Sequence, residues 1–97
     1  MTIFVLPEAA DEFADGTDYY DQQQVGLAQR FRDEVDQHIQ WIAQNALVPR
    51  LRQGGYRRVN LKVFPYYIAY VLHGDSVWIL AIAHAQRRPE YWIRRRH

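Results

Sequence analysis

The chain contains no cysteine, so disulfides, thiolate metal sites and a cysteine nucleophile are excluded. Methionine is almost absent, with Met1 the single copy, and only four prolines and five glycines punctuate the 97 residues. No apolar run approaches the roughly 18 residues that would span a bilayer. The opening stretch Met1–Leu6 is short and uncharged, which argues against a secretory signal. Glycine-rich phosphate loops and Gly-x-Ser-x-Gly elbows are missing too. The histidines at 38, 73, 84 and 97 are too scattered to suggest a metal site, and no cofactor is implied.

What is present is an ordinary globular composition, 48 % hydrophobic and 24 % charged, of a length that suits a single domain over residues 1–97. The net charge of +1 conceals a division. Residues 1–48 carry nine acids against Arg30 and Arg32, a net −7, whereas residues 49–97 carry ten bases against Asp75 and Glu90, a net +8. Eleven of the twelve bases are arginine, a bias that a GC-rich genome also produces but that suits phosphate and carboxylate forks. An acidic side and a basic side are expected, the basic one able to meet an anionic partner.

Periodicity orders the elements. The β-branched run Thr2–Leu6 reads as a strand, and Pro7 with Glu8, Asp11 and Glu12 opens a helix. Ala10, Phe13, Ala14, Thr17 and Tyr20 recur at helical steps, with Gly16 weakening the run. After a break at residues 22–26, Ala28, Phe31, Val35, Ile39, Ile42 and Ala46 form the clearest helical stripe, ended by Asn45 and Pro49. The period then changes to two. Tyr56–Phe64 is expected as a strand with Val59, Leu61 and Val63 on one face and Arg58, Asn60 and Lys62 on the other. Tyr66–His73 and Ser76–His84 follow as buried strands joined by the hairpin signal Gly74-Asp75, and Ala85–His97 is a basic, aromatic tail. Strand, helix, helix and three strands predict an α+β fold, with a helical hairpin on one face of an antiparallel sheet and the other face left open.

Three groups of residues carry chemistry. Arg58, Asn60 and Lys62 would make a basic, polar sheet face. Tyr66 and Tyr70 share one face of the next strand, and Tyr67 takes the opposite one, where a ring can stack on a base, anchor a partner or simply pack. His84, Arg87, Arg88, Tyr91 and Trp92 follow the last strand. They offer an acid/base and phosphate-binding set, or a means of pinning the tail to the sheet. On the helical hairpin, Val25, Leu27 and Trp41 would make an apolar patch.

This order of elements, with Tyr19-Tyr20, Gly26 and Phe31, Arg57-Arg58, Phe64-Pro65-Tyr66, Gly74-Asp75 and His84-x-x-Arg87-x-Pro89-x-x-Trp92, resembles the RelE/ParE toxins of type II toxin–antitoxin systems over essentially the whole chain. The resemblance implies a bacterial, cytoplasmic, plasmid-stabilisation type of toxin, neutralised by a cognate antitoxin that alone contacts operator DNA, with no membrane partner. One fold serves two targets: RelE-like members cut messenger RNA on the ribosome, and ParE-like members inhibit DNA gyrase. RelE-like nucleases place basic residues on the second and third strands and an arginine and a tyrosine in the tail. Here Arg58 keeps one such position, the next is Asn60, the third-strand arginine becomes Tyr67, and the tail pair falls on Gln86 and Trp92. Asparagine and tryptophan carry neither the proton nor the charge that RNA cleavage needs.

The resemblance therefore implies a ParE-like, non-nucleolytic gyrase inhibitor that meets its target through Arg57, Arg58, Asn60, Lys62, Arg87, Arg88 and Trp92. A one-residue slip in the tail restores a nuclease set of Arg58, Lys62, His84, Arg87 and Tyr91, so a ribosome-dependent endoribonuclease stays open. A decayed toxin that only binds antitoxin is the third reading.

Overall fold

A computed structural model of the chain describes residues 1–95; Arg96 and His97, at the end of the basic tail, lie outside them. The element order is β1 (Thr2–Val5), α1 (Pro7–Gln23), α2 (Leu27–Asn45), β2 (Arg57–Asn60), β3 (Tyr66–His73) and β4 (Ser76–His84). The four strands form one sheet in the order β1-β4-β3-β2, antiparallel except that β1 runs parallel to β4. This is the α+β architecture expected from the sequence.

Pro7 occupies the first turn of α1, where its missing N–H has no helical partner to lose. Gly26 separates the helices at φ 84°, a left-handed conformation that suits glycine, and caps α2. The α2 stripe packs as expected, with Ala28, Phe31, Val35, Ile42 and Ala46 all buried. The α1 face differs from expectation. Ala10 and Ala14 are exposed, while Ala9, Gly16 and Tyr20 are buried. The reason is Gly16: a Cβ there would stand 3.0 Å from the Phe31 ring and 3.2 Å from the Tyr66 hydroxyl. The glycine that lowers intrinsic helicity is the residue that admits α2 and β3 to close approach.

Helices and sheet enclose a first core around Phe31, Val35, Ile42, Ile68, Tyr70, Val77, Ile79 and Ile82. Within it Tyr20, Phe31, Phe64 and Tyr66 form an aromatic cluster with centroid separations of 4.7 to 6.2 Å. Opposite Ala69/Tyr70 the register with β4 shifts by one residue, so that Ala69 pairs with Ala81 and Tyr70 with Ile79. Leu80 and Ala81 therefore both turn to the second face, while Ile79 and Ile82 stay on the first.

Two expectations are corrected. The second strand ends at Asn60 rather than Phe64, because the next segment is gathered by a helix carboxylate. Glu34 of α2 accepts the backbone N–H groups of Lys62 (2.7 Å), Val63 (3.2 Å) and Phe64 (3.3 Å). The second face of the sheet, expected to lie open, is partly covered by the tail. Trp92 is wholly buried there with Leu6, Tyr56, Tyr67, Ala69, Val71, Leu80, Ala81 and Ala83, and Tyr91 and Ile93 pack beside it.

Candidate functional site in the basic tail and the second sheet face

Strand alternation puts Arg58 and Asn60 together on the second face, as the sequence requires. The Arg58 guanidinium lies 4.0 Å from the Tyr67 ring centroid and donates to the Asn60 carboxamide oxygen at 2.9 Å. Arg57 points to the opposite side. Its guanidinium donates to the carbonyls of Pro49 (2.6 Å) and Leu47 (3.4 Å), which fastens the segment after α2 and sets Arg57 apart from Arg58 and Asn60. Lys62, placed in the loop and not on the strand, leaves the sheet face. It lines a cleft of about 380 Å³ with Glu34, Gln37, His38, Trp41, Val59 and Asn60. Trp41 is exposed at that cleft and Val25 fully exposed between the helices, whereas Leu27 is partly buried against the first core.

The tail is built on two anchors. Trp92, expected at the target-binding surface, is instead buried, and its indole N–H donates to the Tyr67 hydroxyl at 2.9 Å while its ring meets Tyr56 edge-on at 4.6 Å. Tyr56 in turn donates to Glu90 at 2.7 Å, and Glu90 holds a left-handed φ of 59°. Burial and the Glu90 bond together raise the Tyr56 pKa, partly opposed by Arg52 and Arg58.

The second anchor is Glu12 of α1, whose side chain is 12 % exposed. It accepts the Ile82 backbone N–H at 3.1 Å, the Arg95 guanidinium at 2.9 Å and the Tyr91 hydroxyl, and it pairs with Arg87 at 3.6 Å. Arg87 also stacks 3.8 Å from the Tyr91 ring centroid. Burial, then the bond to Glu12 and its charge, push the Tyr91 phenol well above the ordinary tyrosine value, although Arg87 and Arg95 act the other way. Tyr91 is therefore a neutral donor committed to a carboxylate.

His84 stands at the end of β4 opposite Tyr66, the rings edge-to-face at 5.1 Å. Its Nδ1 accepts the Gln86 backbone N–H at 3.1 Å, which puts the proton of a neutral imidazole on Nε2. His84, Arg87 and Tyr91 line a cleft of about 240 Å³ with Glu12, Asp15, Gly16, Tyr19, Tyr66 and Ile82. Of the five residues in the nuclease set, these three thus meet; Lys62 lines the other cleft and Arg58 neither. Arg88 is exposed and makes no side-chain hydrogen bond or ion pair among the described residues. Neither do those residues hold a cluster of acids and histidines able to bind a metal, and none of their helices is long and apolar enough to cross a membrane.

Glu12 is the residue of the candidate site that the sequence did not single out. Its signal was positional: it stands three residues after buried Ala9 and four before buried Gly16, on the covered face of α1.

No curated protein sequence matches the chain significantly. A chain of the chromosomal ParDE TA system from P. aeruginosa shares the fold, with a TM-score of 0.77, 20 % identity and coverage of 89 % of this chain and 97 % of that one. The family model described as the ParE toxin of type II toxin–antitoxin system, parDE, matches residues 3–89, the sheet and the helical hairpin together. The chain belongs to this ParE toxin family.

Proposed function

We propose that the chain is a cytoplasmic toxin that arrests growth by inhibiting DNA gyrase, cuts no RNA, and is held inactive by a cognate antitoxin encoded beside it. The observation that carries the non-nucleolytic reading is that the nuclease set is split, with Arg58 and Lys62 apart from the cleft of His84, Arg87 and Tyr91 and the Tyr91 hydroxyl engaged by Glu12. RNA cleavage through the 2′-hydroxyl needs a base, an acid and cations converging on one phosphate. Here the Tyr91 hydroxyl is spent on Glu12, Arg87 shares the same carboxylate, and Arg58 is fastened to Asn60 on the second face. Arg58 and Asn60 on the second face, and Arg87 and Arg88 in the tail, remain accessible in whole or part, a cationic surface in two separate patches suited to an acidic protein or a nucleoprotein target. The antitoxin covers this surface or the neighbouring cleft with Lys62 and Trp41, and reaches operator DNA through its own DNA-binding part.

One observation favours the endoribonuclease reading: His84, Arg87 and Tyr91 line one cleft. Induced expression separates the readings. Growth arrest with intact messages, relieved by co-expression of the adjacent small gene, is expected. Messages cut at ribosomal A-site codons, with cutting abolished by Arg87→Ala, would establish the nuclease instead. Unchanged colony counts would leave antitoxin binding as the remaining activity.

A further inference from the structure

The strand pairing leaves a gap that one carboxylate fills. β1 pairs with β4 only from Ser76 to Ile79, and the Leu6 N–H closes that ladder on the Ile79 carbonyl. β4 continues to His84, so beyond Ile79 its outer edge has no strand beside it among the described residues. An open edge presents unpaired backbone groups. Glu12 reaches down from α1 and accepts the Ile82 N–H from that edge. The same carboxylate takes Tyr91 and Arg95 from the tail, and Arg95 also donates to the Leu80 carbonyl at 3.3 Å. The tail thus wraps the edge. Trp92 is buried on the second face, while Tyr91 and Arg95 return to the helix above the first.

We infer that Glu12 is the positioning residue of a target-facing strap formed by residues 85–95, fixing Arg87 and Tyr91 at the cleft shared with His84 and Tyr66. This rests on the toxin reading above and adds to it the element that meets the target. Three features support the assignment. The Glu12 carboxylate is nearly covered, so its bonds to the strap are shielded from water and salt. It accepts from two strap side chains, Tyr91 and Arg95, and pairs with a third, Arg87, which gives the strap one orientation relative to α1. Arg87, at 56 % side-chain exposure, still faces outward while its guanidinium is held between Glu12 and the Tyr91 ring. A guanidinium fixed in advance loses less freedom on meeting an anionic group than a free one. The remaining strap arginines, Arg88 and Arg94, are exposed.

The test compares the full-length chain with Glu12→Gln, which keeps the size of the side chain and removes its charge. Three quantities are read: the thermal midpoint, the rate of trypsin cleavage after Arg94 and Arg95, and growth arrest on induction at matched protein level. Cleavage at least tenfold faster, with a cooperative fold retained and growth arrest weakened at least tenfold, is the expected result. A folded Glu12→Gln chain whose strap is cut faster yet arrests growth as the wild type does would overturn the inference, because the strap would then be structural only. An unchanged cleavage rate would overturn it as well. Should Glu12→Gln fail to fold, Tyr91→Phe with Arg95→Gln loosens the strap from its own side and is read by the same thermal midpoint and growth arrest, with trypsin cleavage followed after Arg94 alone in both chains. Absence of arrest by the wild-type chain would refute the toxin reading and this inference together; arrest by both chains would refute this inference alone.

Discussion

The Trp92 indole and the Tyr67 hydroxyl, 2.9 Å apart, join the last turn of the tail to the central strand β3 across the second face of the sheet. The tail is consequently part of the folded core and not an appendage. Trp92→Ala should lower stability by about 3–5 kcal/mol, the usual cost of removing a buried aromatic side chain. Urea unfolding with tyrosine fluorescence detects this. A change below about 1 kcal/mol would mean that the indole is not packed as described.

Gly16 gives a prediction whose sign is set by two opposing effects. Gly→Ala in a helix interior normally stabilises by about 1 kcal/mol. Here the new methyl would stand 3.0 Å from Phe31, which is held in turn by Tyr20, Phe64 and Tyr66 and has no room to move. Overpacking of this kind costs about 1–3 kcal/mol, so Gly16→Ala should destabilise. Gly16→Ala combined with Phe31→Leu should recover part of the loss; a stabilised single variant would contradict the close approach.

The sequence made some of this legible. The α2 stripe was readable because its period continues without interruption from Ala28 to Ala46, and Arg58 and Asn60 share a face because strand alternation admits nothing else. The α1 face was displaced by one position, since its buried side is marked by a glycine and a glutamate, neither of which counts as apolar. The early end of β2 could not be read, because it depends on Glu34 reaching from another element. The role of Trp92 was open for a related reason: the tail has no periodicity, and its partner Tyr67 is 25 residues away.

Glu34 should therefore govern the loop between β2 and β3. Glu34→Ala removes the acceptor of three consecutive backbone N–H groups, and bonds to a charged acceptor contribute about 1.5–3 kcal/mol each when sheltered. This site is partly exposed, so a total loss of about 1–3 kcal/mol is expected. Amide exchange should accelerate at Lys62, Val63 and Phe64 far more than at Ile68 or Ile79. Uniform acceleration would point to global destabilisation and not to a local anchor.

Alkaline pH should unfold the protein earlier than its arginine-rich surface alone implies. Burial raises the Tyr70 phenol from 10.0 to about 12, with Arg57 opposing, and the Tyr70 hydroxyl donates to the Ala46 carbonyl at 2.8 Å. Burial raises Tyr20, Tyr56, Tyr66 and Tyr91 as well. A tyrosine whose folded pKa lies above its unfolded value favours folding fully below pH 10. That contribution is lost as pH rises from 10 towards 12, because the unfolded chain releases its protons first. Denaturant midpoints measured from pH 9 to pH 11.5 should fall steeply above pH 10, and Tyr70→Phe should flatten part of the fall. A midpoint independent of pH over that range would show that these phenols are not sequestered.

Purified protein titrated against DNA gyrase at fixed salt, with supercoiling of relaxed plasmid as the readout, bears most directly on the claim that this fold acts on its target without cutting RNA. Supercoiling should be abolished near stoichiometric toxin and restored by the antitoxin. Undiminished supercoiling at a large molar excess of folded protein would contradict it.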